Sequence, residues 1–165
     1  MWKTFCGLAL AGLLVSACDD PATRPPEVYV PAVPAPPTDV ALVALRGALG
    51  PCEAAMDEAA DPIAQLAAGG RASTEGRAVI ERARLICGGA TAEIRSLGVW
   101  GRLKDPCARA TQAREVVATG ALEILELRGS KLGVPALRDK IADQATVSRA
   151  CAGEIMVAER QSPTG

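Results

Sequence analysis

The sequence predicts an all-α fold: an up-down antiparallel four-helix bundle made of two disulfide-stapled helical hairpins, preceded by a Pro-rich linker. Three observations predict it. Apolar residues recur at alternating steps of three and four through four successive segments, which lines them up along one face of a helix. Glycines punctuate the segments where short turns are needed. Four cysteines, Cys52, Cys87, Cys107 and Cys151, stand at matched distances on either side of two of those turns. Composition agrees, since alanine is abundant and runs of Val, Ile and Thr are few.

The elements follow in order. From Asp20 to Asp39 the chain holds seven prolines, Pro21, Pro25, Pro26, Pro31, Pro34, Pro36 and Pro37. Such a stretch lacks the donors for helix or sheet and favours extended polyproline II at ~3.1 Å per residue, a spacer of up to ~60 Å. In the first helical segment Leu42, Leu45, Leu49, Cys52, Met56, Ala59, Ile63 and Leu66 form the stripe. Thr38 or Asp39 caps its start, Gly50-Pro51 is expected to kink or split it, and Gly69-Gly70 ends it.

The second segment carries Ile80, Ala83, Cys87, Ala90, Ile94 and Leu97, with Ser73 or Thr74 as cap and Gly98 as stop. The connector over 98–104 contains Trp100, read either as an apolar plug over one end of the bundle or as a partner contact. The third helix is expected to open at Asp105-Pro106, a cap followed by proline at the first helical position, and to end at Gly129. Ala113, Val117, Ala121, Ile124 and Leu127 are among its apolar positions. The fourth runs from about Val134 to Arg160. Val134, Leu137, Ile141, Ser148, Cys151 and Ile155 share a face, with Gln144 between. Short loops make successive helices antiparallel neighbours.

In an antiparallel hairpin, residues equally far from the turn lie at equal height. The midpoint of 52 and 87 falls between Gly69 and Gly70, and the midpoint of 107 and 151 falls on Gly129. Both pairs are therefore level across a glycine turn and within disulfide reach. The rival pairing, 52 with 151 and 87 with 107, stays open, because 87 and 107 also centre on a connector. A four-thiolate zinc site lacks the usual close cysteine pairs, and a redox site lacks a CxxC motif. Pro51-Cys52 echoes Pro106-Cys107, and the stretch from Cys87 loosely echoes that from Cys151. A hairpin duplication and chance both account for this. Gly88, Gly89 and Gly153, beside the staples, are expected to let the two backbones approach closely.

The start of the chain has its own pattern. Met1 to Lys3 is short and basic, Phe5 to Ala17 is apolar, and Val15-Ser16-Ala17-Cys18 follows. The apolar run is too short to span a bilayer, which takes roughly 20 residues, and it has the layout of a secretory signal. The four residues resemble the lipobox of bacterial lipoproteins. That resemblance implies cleavage before Cys18, attachment of diacylglycerol to its sulfur and a home in the cell envelope, facing the periplasm. Asp19, reinforced by Asp20, resembles the signal that retains a lipoprotein in the inner membrane. The expected organisation is a signal peptide at 1–17, lipidated Cys18 and linker at 18–38, the helical domain at 39–160 and a tail at 161–165.

Composition narrows the function. There is no histidine, which removes Ser-His-Asp and Cys-His catalysis and His-ligated metals. Without Lys3 the mature chain has 17 basic and 19 acidic side chains, a formal charge of −2, and only Tyr29 and Trp100 are aromatic. Nucleic acid is therefore not the expected partner. No cofactor motif is present, and Glu123 and Glu126, one turn apart near Arg128, read as a solvated face. The expected function is that of a non-catalytic, lipid-anchored structural or protein-interaction module, with the membrane and an envelope protein as partners. Two alternatives are an apolar-ligand binder using Gln144 and Ser148, and an inhibitor of a wall-active enzyme.

Overall fold

The computed structural model describes residues 38–99, 101–127 and 131–161, all within one compact unit, Pro34–Gly165. Cys18, Asp19, Asp20, the Pro-rich linker, Trp100, Gly129 and residues 162–165 lie outside the described residues. Among the described residues the structure is all-helical: α1 Thr38–Glu58, α2 Ala60–Ala67, α3 Thr74–Ser96, α4 Gly101–Glu126, a 3-10 turn Lys131–Gly133 and α5 Val134–Gln161.

The expected interruption of the first segment moves. α1 runs straight through Gly50-Pro51. Proline there leaves the Gly47 carbonyl without its helical donor, but Gly47 and Pro51 are both exposed, so water can take that bond. The break comes at Ala59, where Pro62 can offer no N–H to the Glu58 carbonyl. Backbone bonds still bridge the joint, from Ala59 to Ala55 and from Ile63 to Ala59, both at 3.1 Å.

α2 ends as the glycine pair predicts. Gly69 takes the left-handed conformation at φ 82°. Its N–H reaches the Leu66 carbonyl at 2.9 Å and Gly70 reaches Gln65 at 2.8 Å, which is the double closure of a Schellman cap. Ser73 caps α3, its Oγ accepting from the Gly76 N–H at 3.0 Å. α3 stops at Ser96, with Leu97 already extended, just short of the expected Gly98.

The third predicted helix starts earlier than its sequence signal. α4 begins at Gly101, so Asp105 is not its cap and Pro106 lies inside the helix. The extra turn brings Leu103, 4 % exposed, into the core, and that burial outweighs the donor lost at Pro106. α5 extends one residue past Arg160.

The two disulfides are Cys52–Cys87 and Cys107–Cys151, each with Cα atoms 4.7 Å apart. One ties α1 to α3 and the other α4 to α5. Between α3 and α4, Arg95 meets Gln112 while Gly88 meets Glu115, so the numbering runs in opposite directions along the pair. Besides a small cluster of Cys52, Cys87 and Ala90, two large apolar clusters fill much of the interior. One gathers Ile63, Leu66, Ile80, Val117, Ile124 and Leu137; the other gathers Leu42, Leu45, Leu49, Ile94 and Leu103 around Cys107 and Cys151. Many of the remaining core positions are alanines, which bury little area each, so the staples supply constraint that bulky side chains would otherwise give.

The glycines beside the staples do not act as expected. A Cβ on Gly89 or Gly153 would meet nothing within 4 Å, and one on Gly88 would meet only the Glu115 carboxylate, 3.2 Å away on α4. None of the three sets the approach of the stapled helices.

Candidate functional site

The middle of the interior carries a few polar side chains among its apolar ones. On its α3/α4 side, the buried hydroxyls of Thr91 and Thr111 are 2.9 Å apart. Thr91 Oγ1 also lies 2.8 Å from the Cys87 carbonyl, and Thr111 Oγ1 lies 3.0 Å from the Ala108 carbonyl. Each hydroxyl has one proton, so one threonine donates to the other, which in turn donates to its own backbone. The chain signal for this pair is Cys-Gly-Gly-Ala-Thr at 87–91 against Cys-Ala-Arg-Ala-Thr at 107–111. Each places a threonine one turn after a stapled cysteine. Sequence reasoning matched the cysteines but missed the threonines.

The other side of the middle is a groove between α1/α2 and α5. Arg46 and Glu159 form an ion pair at one end. At the other, Arg138 Nε donates to the Ala67 carbonyl at 2.7 Å. Between these bridges α5 has no buried residue from Arg138 to Ala150, although Leu137 and Cys151 on either side are buried. A cleft of about 280 Å³ opens there, lined by Met56, Ala60, Ile63, Val117, Ile141 and Gln144, with Asp57 also at its wall.

Arg114 stands on the inward stripe of α4, one turn before Val117. Its Nη2 lies 3.1 Å from Glu53 Oε1 on α1, and its side chain is only 12 % exposed. Its Nη1 is buried and has no hydrogen-bond partner. On α5, Gln144 Nε2 donates to Ser148 Oγ at 3.2 Å, and both residues are half-buried. The two polar residues expected on the α5 stripe are thus brought together, and Gln144 reaches the cleft.

The remaining sequence candidates are placed plainly. The four cysteine sulfurs are bonded in pairs and buried, so no free thiolate exists there for zinc or for redox exchange. Glu123 and Glu126 are exposed on α4, and Glu123 pairs with Lys140 at 3.4 Å. Arg77 is held above its ordinary pKa by its hydrogen bond to Glu81, a surface pair on one helix. Among the described residues no group of three or more His, Cys, Asp or Glu could hold a metal ion, and no helix is long and apolar enough to cross a membrane.

No protein-family model, no curated protein and no solved structure matches this chain.

Proposed function

We propose that this chain is a non-catalytic lipoprotein of the bacterial cell envelope, acting as a structural or protein-interaction module. Cys18 carries the lipid, residues 18–38 space the domain from the membrane, and the helical domain faces the periplasm. The domain is an up-down four-helix bundle in which α1 and α2 together form one arm. Asp19 and Asp20 retain it at the inner membrane. An envelope protein is the partner, with Trp100 as a contact, and nucleic acid is not.

The observation that carries the reading is the pairing of an exported-type start with two buried disulfides in an alanine-rich core. Such staples form and persist where thiols oxidise, and they suit a rigid body held away from the cytosol. Site-specific photo-crosslinking in membranes tests it. A photoreactive residue at exposed Leu85 or Val116, or at Trp100, is expected to capture one and the same envelope protein, with the Trp100 adduct lost in a Cys18→Ala chain. Adducts that are diffuse, or that form equally without the anchor, contradict the reading.

A further inference from the structure

We draw no further inference here: the strongest candidate, the cleft of about 280 Å³ between α1/α2 and α5, is an apolar surface formed by Met56, Ile63, Val117 and Ile141, and nothing in the structure shows what covers it.

Discussion

Removing the staples one pair at a time gives the sharpest test of what holds the helices together. The disulfides close loops of 35 and 44 residues. Loop-closure entropy then assigns them ceilings of about 3.8 and about 4.0 kcal/mol at 25 °C. The loops, 52–87 and 107–151, share no residue, so their effects on the unfolded chain add. The rival pairing would nest one loop inside the other and would not behave in this way. Together the two account for as much as about 8 kcal/mol, a large part of the 5–15 kcal/mol typical of a whole domain. The assay is urea unfolding of the full chain with Cys52/Cys87 or Cys107/Cys151 replaced by alanine, and with all four replaced. The two pairs should cost nearly the same, 2–4 kcal/mol each by the usual range for disulfides, and the fourfold variant close to their sum. A cost below about 1 kcal/mol for either pair, or a fourfold variant no worse than one pair, would refute the reasoning.

Three smaller predictions follow from local geometry. Thr91→Val and Thr111→Val should each cost about 1 kcal/mol, because each removes one buried hydrogen bond while the surviving hydroxyl keeps a backbone acceptor; the double variant removes both bonds and should cost about the sum, and a thermodynamic cycle in urea that shows a single variant already costing as much as the double would contradict the switch to the backbone acceptor. Gly89→Ala and Gly153→Ala should each raise stability by about 0.5–1 kcal/mol, since both glycines sit in helix interiors with open space around a new Cβ; a loss in either would restore the idea that close backbone packing needs them. Ser73→Ala should cost about 1 kcal/mol through the lost cap on α3, visible as a lower thermal midpoint, while Thr74→Ala should cost less.

Much of the fold was legible because its signals are local. The Gly69-Gly70 stop, the Ser73 cap and the apolar stripes each depend on residues a turn apart. Cysteine spacing ranked the pairings because hairpin height is set by counting from a turn. The misreadings were those in which tertiary burial or solvent overrode a local signal. Pro106 resembled a helix start, yet burial of Leu103 drew the helix one turn further back. Pro51 resembled a breaker, yet its orphan carbonyl faces water, and the break falls at Pro62 instead. The polar part of the interior was only half legible. Gln144 and Ser148 on the α5 stripe signalled a polar interruption, but Arg114 on the α4 stripe went unread, because a long side chain can leave the core and find its charge partner on another helix.

The claim on which the functional account rests is that the chain is exported and anchored through Cys18. The mass of the amino-terminal peptide from protein extracted out of bacterial membranes measures this most directly. A peptide that begins at Cys18 and carries a diacylglyceryl group is the predicted result. A soluble chain that begins at Met1, or one cut elsewhere with an unmodified Cys18, would contradict it.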